Sequence, residues 1–191
     1  MALTRLFFSF KYKVKIEYIG EKPKKDTHYL VVSNHRSMND PPIIASFIDM
    51  PMAFIAKKEL FSNLFSAFVI SLHSAILIDR ENTKKSTFDM TKKALKTKRF
   101  GKAWNSSIFI EGTRSKDPNF LGQPNNGAIF IARINKVPIL PVGITYTDNK
   151  EIIIRVGEAF DVDRSQELDE AAWDCLERIS KLCDYGMPLR S

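Results

Sequence analysis

Short apolar runs that stop at polar clusters constrain this chain more than any other feature. Residues 28–32, 52–56, 75–78, 107–110 and 137–146 are rich in β-branched and aromatic residues and too short for a buried helix, so each predicts a buried strand. Between them, residues 41–50, 57–72, 83–99 and 127–135 predict helices. Strands alternating with helices imply an α/β domain with a central, largely parallel sheet flanked by helices. Ligands of such sheets collect beyond the strands' carboxyl ends. The polar clusters that follow the runs therefore become the candidate chemistry. They are Asn34-His35-Arg36-Ser37-Met38-Asn39-Asp40, Lys57-Lys58, Asp79-Arg80 and Glu111-Gly112-Thr113-Arg114-Ser115.

The remaining elements fill out one domain over residues 1–191, with its motif-bearing core at about 28–146. Residues 11–20 alternate Tyr12, Val14, Ile16 and Tyr18 against Lys11, Lys13, Lys15 and Glu17, the pattern of a strand with one wet face. Residues 151–156 predict a further strand. The two prolines at 138 and 141 place the 137–146 strand near a sheet margin or make its start irregular. Residues 116–126 form a long loop of the kind that covers a site, and residues 166–184 a packing helix.

Charge narrows the partners. With 29 Lys and Arg against 22 Asp and Glu, the net charge of +7 favours anionic surfaces, and residues 83–99 hold the densest run of lysines. No nucleic-acid-binding motif accompanies that run, so no nucleic-acid partner is expected. The 2 cysteines, Cys175 and Cys183, read as reduced core residues, and the 3 histidines are scattered, so no metal is expected. Residues 1–10 are too short to span a bilayer and lack a cleavage site, while residues 64–78 are interrupted by Ser66, Ser71, His73 and Ser74. The expectation is a peripheral protein on the cytoplasmic face of a membrane, with no signal peptide and no transmembrane helix. The apolar stripe of residues 57–72 reads first as core, with an acyl-chain groove or a membrane-facing surface as the alternative.

The first cluster carries the sharpest chemistry. His35 follows a strand, and Asp40, before the Pro41-Pro42 doublet, fits the N-cap of a helix. A turn of five residues is short enough for Asp40 to accept a hydrogen bond from one imidazole nitrogen, leaving the other unprotonated as a general base. A capped helix start beside an uninvolved histidine would carry the same residues.

Five blocks in order then resemble the glycerolipid acyltransferase family, the 1-acylglycerol-3-phosphate acyltransferases in particular. Asn34-His35 through Asp40 resembles its N-H-x4-D block, Ala56-Lys57-Lys58-Glu59-Leu60 its A-K-x-E-L segment, and Ile78-Asp79-Arg80 its I-D-R block. Glu111-Gly112-Thr113-Arg114-Ser115 is similar to E-G-T-R-S, and Val137-Pro138-Ile139-Leu140-Pro141-Val142 to V-P-I-x-P-V. The chain departs from the pattern at Ser74, where Gly is usual, at Ile110, where Pro is usual, and at Asn125 and Asn126, where a Lys is common.

The resemblance implies a single acyltransferase domain that moves an acyl chain from an acyl thioester to the free hydroxyl of lysophosphatidate, giving phosphatidate. His35 would be the general base and Asp40 its orienting partner, with no acyl-enzyme. Lys57, Arg80, Arg114, Thr113, Gly112 and Glu111 would form the pocket for the acceptor's phosphate. No cofactor is implied; acyl-CoA or acyl carrier protein would be the donor, and the surface of an anionic membrane the partner. The alternatives are acylation of another lysophospholipid or lyso-aminolipid, or a basic membrane-binding module without catalysis.

Overall fold

The computed structural model describes residues 2–57, 76–78, 98–99 and 102–190. The chain runs α1 (Ala2–Lys11), β1 (Lys13–Tyr18), β2 (Leu30–Ser33), α2 (Asp40–Phe47), β3 (Met52–Lys57), β4 (Ile76–Ile78) and β5 (Lys98–Arg99). It continues through β6 (Lys102–Ala103), β7 (Asn105–Phe109), α3 (Gly127–Asn135), β8 (Ile139–Tyr146), β9 (Glu151–Val156) and α4 (Leu168–Ser180).

Seven strands form one sheet in the order β1-β9-β8-β2-β7-β3-β4. Strands β8, β2, β7, β3 and β4 all run parallel. Strand β9 pairs antiparallel with β8, and β1 pairs parallel with β9. The α/β architecture with a largely parallel sheet is therefore the one the sequence predicts. The carboxyl ends of five strands share one edge, and β1 begins at that same edge.

Burial follows from the pattern. Strand β2 is buried on both faces, as a central parallel strand requires. Its Val31 packs with α2 and with Leu140, Val142 and Ile144 of β8 on one side. Its Leu30 and Val32 pack with α3 and α4 on the other. Fully buried residues such as Ile43, Ile44, Ile129 and Ile144 each contribute about 1.5–3 kcal/mol of transfer free energy. By contrast β1 alternates exposed and half-buried positions, as its lysine alternation predicts for an edge strand.

Three expectations are corrected. Strand β8 is interior, flanked by β2 and β9, which overturns the margin, while its alternative of an irregular start holds, since Val137 and Pro138 precede the strand. Pro141 is tolerated there because it lies between the Val142–Val156 pair and the Ile139–Phe160 bridge, and its carbonyl takes the Gly157 amide at 2.9 Å. Lys98 and Arg99, read as the end of a helix, pair instead with Lys102 and Ala103 in a short hairpin. Helix α4 is shorter than 166–184: Ser180 Oγ bonds the Glu177 carbonyl at 2.8 Å and the chain tightens, with Leu182 and Cys183 still buried. Both cysteines are free and buried. The readings of residues 58–75 and 79–97, including the apolar stripe and the main lysine run, lie outside the described residues.

Candidate active site

Two turns at the carboxyl edge build the site, one after β2 and one after β7. Asn34 opens the first: its side chain accepts from the Ile144 amide at 2.8 Å and donates to the Ile144 carbonyl at 2.9 Å. This fully buried amide thus continues the β2–β8 ladder one residue past its end. His35 follows, with its ring stacked on Phe109 at 3.8 Å and an interplanar angle of 10°.

Asp40 is wholly buried and lies 2.9 Å from His35 Nδ1. Its Oδ2 also accepts the amides of Arg36 and Ser37, each at 2.7 Å, and its Oδ1 accepts the Tyr146 hydroxyl at 2.6 Å. Four donors therefore hold one carboxylate, each charge-assisted bond worth about 1.5–3 kcal/mol. An ionised carboxylate can only accept, so Nδ1 carries the proton and Nε2 is left with its lone pair. Among the described residues Nε2 has no hydrogen-bond partner.

Asp40 is not the helix cap. It is the first residue of α2, Asn39 takes the cap position, and no side chain caps the helix. The carboxylate turns back to the amides before it because those amides, together with His35, converge on one oxygen.

The second turn divides. Glu111, buried, takes the His35 amide on Oε1 and the Gly122 amide on Oε2, both at 2.8 Å. Burial raises its carboxyl above the ordinary range, while the two amides and the charges of Arg36 and His35 pull it down. It makes no pair with Arg114. Gly112 sits at φ 64°, the left-handed region that favours glycine, and sends the chain outward. Thr113 and Arg114 are exposed, and Arg114 makes no hydrogen bond or ion pair with any described residue.

Backbone bonds join the two turns: the Ile110 amide donates to the Ser33 carbonyl and the Ser115 amide to the His35 carbonyl, each at 2.9 Å. Proline at 110 would lack the first of these donors. The loop over the site is clasped by Arg36, which bonds the carbonyls of Pro118 and Phe120 at 2.7 and 3.0 Å and stacks on Tyr185. Gly122 belongs to the same closure, since a Cβ there would come within 2.7 Å of Glu111 Oε2. Asn125 and Asn126 serve structure: Asn125 Oδ1 accepts the Gly127 amide at 2.9 Å and Asn126 bonds Asp169 at 2.7 Å.

The structure thus brings His35, Asp40 and Glu111 together, with Gly112, Thr113 and Arg114 beside them. Lys57 closes β3 opposite Ile78, the last residue of β4, at the same edge. The Lys57 side chain and all of Arg80 lie outside the described residues. Sequence reasoning placed Asn34 in the first cluster without giving it a role, and passed over Phe109 and Tyr146. The available signal for Tyr146 was a polar-tipped aromatic at the carboxyl end of an otherwise apolar strand.

A family model for acyltransferases matches residues 15–145, the span that holds both turns and the strands beneath them. This chain belongs to the acyltransferase family. It is 35% identical over 170 residues to a 1-acyl-sn-glycerol-3-phosphate acyltransferase of Streptococcus pneumoniae, covering 86% of this chain and 57% of that one. It is 31% identical to a protein of the same name from Salmonella typhimurium, covering 68% of this chain and 53% of the other. The chain thus spans little more than half the length of these curated relatives. Among solved structures, the 1-acyl-sn-glycerophosphate acyltransferase PlsC of Thermotoga maritima superposes with a TM-score of 0.72 at 23% identity, covering 94% of this chain and 75% of that one, a likeness of fold.

Proposed function

We propose that this acyltransferase esterifies the free hydroxyl of lysophosphatidate with an acyl group from acyl-CoA or acyl carrier protein, giving phosphatidate. The observation that carries the reading is the His35–Asp40 pair, 2.9 Å apart, on the same sheet edge as the exposed Arg114, which has no partner among the described residues. The relatives' names supply the substrate.

In the proposed reaction Nε2 of His35 takes the hydroxyl proton as the oxygen attacks the thioester carbonyl. The C–S bond then breaks, and the departing thiolate takes the proton back from the imidazolium. Asp40 stabilises the imidazolium between the two steps. No acyl-enzyme is needed, and the sequence holds no serine or cysteine in a recognisable nucleophile elbow. Arg114, with Thr113 at the same turn and with Lys57 and Arg80 following the neighbouring strands, receives the acceptor's phosphate, for which a guanidinium offers paired donors. Glu111 and Gly112 shape that pocket from beneath.

The reading includes a membrane. Helix α1 ends at the same edge as His35 and presents Leu6, Phe7 and Phe10 outward, Phe10 with 92% of its surface exposed, beside Lys11. Such a face fits the boundary of an anionic bilayer, where apolar rings enter and lysine stays at the headgroups. Among the described residues no helix is long and apolar enough to cross a membrane.

The test offers the purified protein lysophosphatidate with each donor on anionic vesicles and follows product by mass spectrometry. Phosphatidate should form, and His35→Ala should reduce transfer by about 10³-fold or more while leaving fold and vesicle binding intact. Retention of most of the activity by that variant would sink the mechanism.

A further inference from the structure

Three of the donors on Asp40 come from its own turn; the fourth, the Tyr146 hydroxyl, comes from 106 residues away. The end of β8 is fixed independently of that turn. The Tyr146 amide donates to the Tyr185 hydroxyl at 3.1 Å, the Asp184 amide donates to Thr145 Oγ1 at 3.0 Å, and the Tyr12 ring packs edge-on against Tyr146 at 6.4 Å. The phenol is therefore placed by the sheet and the C-terminal segment. Burial, the Asp40 charge and its bond to Asp40 push the phenol far above its ordinary range, so it remains a donor wherever the enzyme works.

We propose that Tyr146 is a positioning residue for the proton-transfer pair: it fixes the rotamer of Asp40 and draws part of that carboxylate's charge away from His35. The inference rests on His35 being the base. Asp40 takes His35 on Oδ2 and Tyr146 on Oδ1, so the two donors compete for one anionic charge. With the phenol in place, the carboxylate orients the imidazole through one oxygen while its other oxygen is engaged by a second donor. The charged and titratable groups that face the pair are Tyr146 and Tyr12 on one side and Glu111 and Arg36 on the other. Among the described residues, only Tyr146 reaches Oδ1.

Tyr146→Phe keeps the ring and removes the donor. Turnover should fall about 10- to 100-fold, with the KM values of both substrates and the unfolding temperature little changed. The acid limb of the pH dependence of kcat/KM should move to higher pH, because Asp40 without the phenol holds the imidazolium more strongly. In an Asp40→Asn background the same substitution should cost nothing further, since its effect runs through the carboxylate. Replacement of Tyr146 by 3-fluorotyrosine keeps the contacts, strengthens the donor and should move the limb to lower pH. Unchanged turnover with an unmoved limb in Tyr146→Phe, or a full additional loss in the Asp40→Asn background, overturns the proposal. An inactive His35→Ala beside a wild-type-like Tyr146→Phe defeats this inference alone. An active His35→Ala defeats the reading on which it rests.

Discussion

The turn after β2 fixes Asn34, His35 Nδ1 and Asp40 in internal bonds and leaves only the reacting Nε2 of His35 without a partner among the described residues, whereas the turn after β7 is bound at its first residue and open at its fourth. In the first, Asn34 is tied to Ile144 on both ends of its amide and Asp40 holds four donors. In the second, Glu111 is clamped between two backbone amides while the exposed Arg114 has no partner among the described residues. The difference matches two chemical tasks. A base must be held in one tautomer and one orientation before substrate arrives, so its shell is complete. A phosphate-binding cation is completed by the ligand, and pairing it inside the protein would have to be undone on binding.

Glu111 offers the strongest way to break the comparison, because it binds the first turn to the covering loop. Glu111→Ala leaves the amides of His35 and Gly122 without their acceptor in a buried setting, at about 1–3 kcal/mol each. Stability should therefore fall by about 2–6 kcal/mol, read by denaturant unfolding, and turnover should fall with it as the His35 backbone loosens. Lost phosphate affinity with unaltered stability would mean that Glu111 belongs to the open half of the site.

Arg114→Ala tests that open half and should be smaller in effect and different in kind. The KM for lysophosphatidate should rise about 10- to 100-fold, with the donor KM and the unfolding temperature unchanged, since the exposed side chain bonds to none of the described residues. Steady-state kinetics with a monoacylglycerol as a phosphate-free acceptor supplies the control. An equal loss there would show that the guanidinium does something other than hold phosphate.

What could be read from the sequence divides along the same line as the two turns. The His35–Asp40 contact was legible because it closes within five residues, a distance over which a turn has few alternatives. The parallel sheet was legible because its strands are short, apolar and separated by helical stretches. The role of Asp40 as a cap was misread, since capping rules see only the residues that follow and the converging amides lie before it. Glu111 stood out in the sequence through its neighbours Gly112, Thr113 and Arg114, which say nothing of the backbone it anchors. Its actual partners are amides 76 and 11 residues away, which no local pattern reports. Tyr146 was hidden for the same reason, and Pro141 was placed at a margin because only the pairing register shows where its missing donor falls.

The smallest effect concerns the protonation of Glu111 and sharpens what its clamp means. Burial is the largest influence on this carboxyl and raises it above its ordinary value, despite two amides and two cationic neighbours acting the other way. A raised carboxyl binds its proton in the folded state at pH values where the unfolded chain has released it. Its contribution to stability is therefore fully present below the unfolded value and is lost as pH rises through the folded one. The stability difference between the wild type and Glu111→Ala should accordingly narrow as pH rises from about 4.3, the ordinary glutamate value, toward neutrality. Because both proteins share every other titrating group, their difference isolates this one. A difference that widens with pH would show that the amides outweigh burial in setting the protonation of Glu111.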